Sequence, residues 1–149
     1  MQDRIEKSIA LKAPVDRVWR ALTDHEEFGQ WFRVKIESPF RVGEVSRGRI
    51  TYPGYEHFKW EATIETMDPE RRFSFTWCPY SDDPDADYAT QPRTLVEFRL
   101  EPMPGGTRLH IAESGFSALP DDARRVDAFR MNTAGWDEQA KNIAAHVES

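Results

Sequence analysis

The carboxylate best placed to do chemistry is Glu113. In the run Leu109-His110-Ile111-Ala112-Glu113 it keeps the parity of Leu109 and Ile111, so a strand there carries it to the edge of an apolar face, a setting that suits a general acid or base. Tyr52, Tyr55 and His57 surround the Pro53-Gly54 turn and could donate hydrogen bonds at a cavity mouth. The other histidines, His25, His110 and His146, fall in different elements: His110 has outward parity, and His146 sits near the end of the last helix, where a cation offsets the helix dipole. Cys78 is the one cysteine; it closes no intrachain disulfide and, with no base assigned beside it, reads as a structural thiol. Asp82-Asp83 and Asp121-Asp122 read as a solvated loop and a helix start. No His-x-x-x-His, Cys-x-x-Cys or carboxylate-rich loop occurs, nor any glycine-rich phosphate loop, so no metal and no cofactor is expected.

Residues 4 to 12 read as a strand with Ile5, Ile9 and Leu11 inward and Lys7 interrupting the pattern. Ala13-Pro14 breaks it, and Val15, Val18, Trp19 and Leu22 then share a helical face through Thr23. A second short helix starts at Asp24, with Glu27 three residues on as in a capping box, and ends near Trp31. From Lys35 to Phe116 the period becomes two, the mark of antiparallel strands with one wet face. Ile50 and Tyr52 are expected inward with Arg47 and Arg49 outward. Phe58, Trp60, Ala62 and Ile64 oppose Lys59, Glu61, Thr63 and Glu65. Phe73, Phe75 and Trp77 come after the Asp68-Pro69-Glu70 turn; Thr94, Val96, Phe98 and Leu100 come after the Tyr80 to Pro92 loop. Beyond Pro120, Val126, Phe129, Thr133, Trp136, Ala140, Ile143 and Val147 alternate by three and four, the seam of one helix over 121–147. At 1.5 Å per residue that helix is roughly 40 Å long, enough to cross a sheet. Gly135 inside it permits a bend or a close approach.

The length of 149 residues fits one domain, taken as 1–149. Aromatic residues make up 12% of the chain, and so many rings must be buried, line a cavity or form a contact patch. The net charge of −6 opposes nucleic-acid binding, which needs clustered cations. No apolar run approaches the roughly 18 residues of a membrane span, and Met1-Gln2-Asp3-Arg4 opens no signal peptide, so a cytoplasmic location is expected.

A strand, two short helices, a run of antiparallel strands and one long terminal helix form an α+β helix-grip arrangement, in which a curved antiparallel sheet wraps around the only element long enough to cover its apolar face. Ala13-Pro14-Val15-Asp16-Arg17-Val18-Trp19-Arg20-Ala21-Leu22-Thr23-Asp24, the Trp31-Phe32 pair, Gly43, and Gly135-Trp136 resemble the START-like (SRPBCC) superfamily. Within it they resemble proteins related to the C-terminal domain of the activator of Hsp90 ATPase. That resemblance covers essentially the whole chain. It implies the START-like, Bet v 1-like fold, and implies function only loosely, because this scaffold serves ligand carriers, cyclases and co-chaperones alike.

Three functional readings fit these residues. The first is a domain that binds a hydrophobic small molecule between sheet and terminal helix without catalysis, in a pocket lined by Trp31, Tyr52, Trp60, Phe73, Phe75, Trp77, Phe98, Glu113, Phe129, Thr133, Trp136 and Ala140 and gated by the Tyr52 to His57 and Tyr80 to Pro92 loops. The second is a stress-related interaction module of the Hsp90-activator type, with a chaperone as partner and Arg47, Arg49 and Lys59 of the outer sheet face as its contacts. The third is a cyclase- or hydrolase-like enzyme using Glu113 with Tyr52 or His57. Edge strands and the apolar stretch from Phe28 to Phe32 allow a monomer or a homodimer.

Overall fold

The computed structural model describes residues 3–79, 92–119 and 123–148. Among the described residues seven strands form one antiparallel sheet: β1 (Arg4–Leu11), β2 (Val34–Ile36), β3 (Val45–Ile50), β4 (Lys59–Asp68), β5 (Arg72–Trp77), β6 (Thr94–Met103) and β7 (Gly106–Ser114). Their spatial order is β1-β7-β6-β5-β4-β3-β2. Two short helices, α1 (Val15–Thr23) and α2 (His25–Phe32), come after β1, and α3 (Ala123–Glu148) closes the chain. This is the helix-grip fold. Most of the expected Tyr80 to Pro92 loop lies outside the described residues, as do Asp82, Asp83, Asp121 and Asp122.

Local signals set most boundaries. The Pro14 carbonyl accepts the amides of Arg17 and Val18 to start α1, and the Asp24 carboxylate caps α2 by accepting from the amides of Glu26 at 2.9 Å and Glu27 at 3.3 Å. The second half of the capping box does not form, because the Glu27 carboxylate is engaged by other elements. Helix α2 runs on to Phe32 and stops at Arg33, whose φ of 67° ends the helical ladder. The close packing of β2 on α2 requires Gly29: a Cβ there would lie 2.3 Å from the Val34 carbonyl oxygen, so a side chain would push β2 off the helix.

The core is filled by α2. Phe28 is wholly buried, and its ring centroid lies 4.8 Å from Trp31, 4.9 Å from Phe32, 5.4 Å from Trp60 and 5.5 Å from Phe40. Phe73 and Phe75 complete the cluster at 6.5 Å each, and burying each ring contributes about 2–3 kcal/mol. The apolar residues of the stretch from Phe28 to Phe32, namely Phe28, Trp31 and Phe32, are therefore interior, which corrects the expectation that they form an exposed apolar surface. Two further inward assignments are corrected. Tyr52 lies beyond the end of β3 and is 50% exposed, and Val126 is 46% exposed although it shares the helical period of the α3 seam. Ala128, Trp136, Ile143 and Val147 of that helix are buried.

Candidate functional site

Glu113 lies on β7 with Ile5 of β1 on one side and Val96 of β6 on the other. It is wholly buried, as the inward parity predicts. Four neutral groups donate to its carboxylate. Trp77 Nε1 reaches Oε2 at 2.8 Å and Thr94 Oγ1 reaches the same oxygen at 2.5 Å. Trp136 Nε1 reaches Oε1 at 2.9 Å, while the Asn132 amide spans both oxygens at 2.9 and 3.1 Å. A carboxylate offers about four lone-pair sites, so these donors saturate it. No Lys, Arg or His is among them. Burying an anion without a counter-ion costs several kcal/mol unless fixed dipoles replace its water, and the two indoles, the hydroxyl and the amide are those dipoles.

Each donor has a structural origin. Trp77 ends β5 and stacks on Trp136 with centroids 5.8 Å apart at 30°. Asn132 precedes Trp136 by four residues, one turn of α3, so both project toward the sheet. Thr94 opens β6, two residues before the cross-strand partner of Glu113. A shallow cleft of about 90 Å³ opens directly outside this network, lined by Phe32, Trp77, Asn132, Gly135, Trp136 and Gln139. Gln139 Nε2 donates to the Phe32 carbonyl at 3.1 Å and ties α3 to the end of α2 at the cleft rim. Gly135 makes no close backbone approach; a Cβ there meets nothing within 4 Å, so its missing side chain keeps the cleft open.

The residues expected to line one large pocket are dispersed. Trp31 and Trp60 are buried and tied away from Glu113, donating to the Ala21 carbonyl at 2.8 Å and to Ser46 Oγ at 2.9 Å. Phe73, Phe75 and Phe98 pack ring against ring in the core. Phe129 is edge-on to Phe116 at 5.1 Å, Thr133 donates back to the Phe129 carbonyl, and Ala140 is half-buried against the core. Tyr52 packs on Tyr55 at 5.6 Å beneath the Arg33 guanidinium, and His57 lines a depression on the outer sheet face. Neither joins Glu113, so the acid-base pairings of Glu113 with Tyr52 or His57 do not form. Trp77, Glu113 and Trp136 are the expected lining residues that converge. Asn132, Gln139 and Phe32 were absent from the expected lining; the i,i+4 spacing of Asn132 and Trp136 is the signal that could have placed the amide there.

A second carboxylate cluster ties the same helix. Glu27 accepts from Arg17 Nη1 at 2.6 Å and Arg20 Nε at 2.7 Å, and His146 Nε2 lies 2.9 Å away. Partial burial raises its pKa, but the hydrogen bonds from His146, Arg17 and Arg20 outweigh that and hold the carboxyl below its usual range. Cys78 is buried. Among the described residues no group of His, Cys, Asp and Glu is arranged to hold a metal ion, and no helix is long and apolar enough to cross a membrane.

Comparison with known proteins agrees with the architecture. The family model for activator of Hsp90 ATPase homolog 1-like protein matches residues 12–148. No curated protein matches the chain. Among solved structures, a protein from Mesorhizobium loti is 22% identical, with a TM-score of 0.76 over 97% of this chain and 96% of its own. A protein from Arthrobacter aurescens is 18% identical, with a TM-score of 0.78 over 98% of this chain and 86% of its own. DynU16, a protein of the dynemicin biosynthetic locus, is 22% identical with a TM-score of 0.75; all of this chain is covered, but it spans only 48% of DynU16. These likenesses concern the fold.

Proposed function

The chain belongs to the activator of Hsp90 ATPase homolog 1-like family within the START-like superfamily, and on that premise we propose that it is a binding domain that takes one small apolar group of a ligand into the cleft between α3 and Trp77. The observation that carries this reading is that three of the four donors to Glu113, namely Trp77, Asn132 and Trp136, are also walls of that cleft. A buried anion without a counter-ion is costly to keep, and here its donor shell shapes two indoles and an amide around an apolar opening. The size bounds the ligand. About 90 Å³ is smaller than the roughly 150 Å³ apolar cavity known to accept benzene and far below the roughly 300–1,000 Å³ of a drug-sized site. The cleft therefore takes the edge of a ring or a short acyl end while the rest of the ligand stays outside.

Binding is favoured over turnover because none of the six lining residues is titratable, and the Glu113 oxygens are taken up by Trp77, Thr94, Asn132 and Trp136. The chaperone-partner reading has the family name in its favour, yet one of its three proposed contacts, Arg47, already faces Glu61 at 3.8 Å.

Phenol and toluene, titrated into the ¹⁵N-labelled chain, are expected to shift the indole N–H resonances of Trp77 and Trp136 and leave that of Trp31 in place. Gly135→Leu fills the cleft from a position whose Cβ meets nothing and should abolish those shifts. Shifts that persist in Gly135→Leu, or none at saturating probe, sink the reading.

A further inference from the structure

On the face of the sheet turned away from α3, the register places three cations side by side. Lys35 of β2 is the cross-strand partner of Arg49 on β3, and Arg49 is the partner of Lys59 on β4. All three side chains point outward and are exposed. Like charges directly opposite one another destabilise a sheet, and none of the three has an ion-pair partner among the described residues. The neighbouring row behaves differently: Arg47 is the partner of Glu61 and lies 3.8 Å from its carboxylate. This unneutralised row occurs in a chain whose net charge is −6.

The row also edges a concavity. A depression of about 790 Å³ is lined by Lys35, Arg49 and Lys59, with His57 and Phe58 forming one wall. Three carboxylates share the lining and two are occupied: Glu61 lies near both Arg47 and Arg93, and Glu56 accepts the Gly54 amide at 2.7 Å. Glu37, two residues along the chain from Lys35, is opposite Arg47, its amide donating to the Arg47 carbonyl at 2.9 Å.

We infer that this outer-face depression is a binding site for a small, multiply charged oxyanion of the diphosphate class, held by Lys35, Arg49 and Lys59. Strands lie about 4.8 Å apart, so the row spans roughly 10 Å. A single phosphate bridges two neighbouring cations, whereas a diphosphate spreads its charge along the row. The anion removes the cross-strand repulsion that the ligand-free sheet carries. This site is on the opposite face of the sheet from the cleft beside Glu113 and does not depend on it.

The test is calorimetric titration of the full chain with sodium pyrophosphate at low ionic strength. One site is expected, its affinity falling as salt rises. Arg49→Thr is expected to weaken it by roughly tenfold, while Arg99→Thr, removing an outer-face arginine whose Nε lies 3.8 Å from Glu97, leaves it unchanged. Adenosine diphosphate is the second probe: tighter binding than pyrophosphate assigns His57 and Phe58 to an organic portion, and equal binding assigns the site to the free diphosphate. No binding of pyrophosphate, wild-type affinity in Arg49→Thr, or equal losses in the two variants overturns the inference.

Discussion

Glu113 and Glu27 both anchor α3, and they do so by opposite means. At mid-helix, Glu113 is wholly buried and surrounded by neutral donors. Near the helix end, the Glu27 side chain is 19% exposed and is met by Arg17, Arg20 and His146. Water explains the difference. Where solvent reaches the carboxylate, long cationic side chains keep their heads hydrated and the pairing contributes little net stability. In the dry interior a cation would bring its own desolvation cost, and rigid dipoles already positioned by the backbone and by ring packing do the same task without it. The buried site is thus more demanding in geometry and harder to perturb without loss of fold.

The contrast predicts a ranking. Glu113→Gln keeps the shape but turns an amide N–H₂ toward one of the two indole N–H groups and the Asn132 amide, and is expected to cost about 3 kcal/mol in urea unfolding because buried donors lose their acceptor. Glu27→Gln is expected to cost about 1 kcal/mol in dilute buffer and less in 1 M salt, where the Debye length is about 3 Å. If Glu27→Gln is the costlier of the two, neutral donors are not the stronger anchor.

Acid sharpens the comparison. The folded-state pKa of Glu27 is lowered from 4.5, so its contribution to stability is fully present above the unfolded-state value and is lost as pH falls through the folded-state value. The stability gap between wild type and Glu27→Gln should close as the pH falls below about 5. A gap that widens in acid contradicts the assignment of Glu27 as a charged anchor. The smallest expected effect is at Gly135. With nothing within 4 Å of an added Cβ, Gly135→Ala should stabilise α3 by up to about 1 kcal/mol, read as a rise in melting temperature. A fall would mean that the open space beside Trp136 is required by the fold.

Local order was legible because its causes are local. Period-two alternation marked the strands, Pro14 and Asp24 marked two helix starts, and the three-four spacing from Phe129 to Val147 marked the seam of α3. Parity alone placed Glu113 inward. Tyr52 and Val126 obey the same periodicities and are nonetheless exposed, because an element's pattern continues in the sequence past the point where its partner surface ends.

The sequence by itself determined the order of elements, the direction most strand and helix residues face, and hence the helix-grip architecture, since these arise from backbone period and capping within a few residues. Tertiary structure alone decided that α2 drives Phe28 into the space a pocket would need, that Trp77, Thr94, Asn132 and Trp136 meet on one carboxylate, and that Lys35, Arg49 and Lys59 fall in one row. Those outcomes depend on strand register and on contacts between residues far apart in the chain, which no local period encodes.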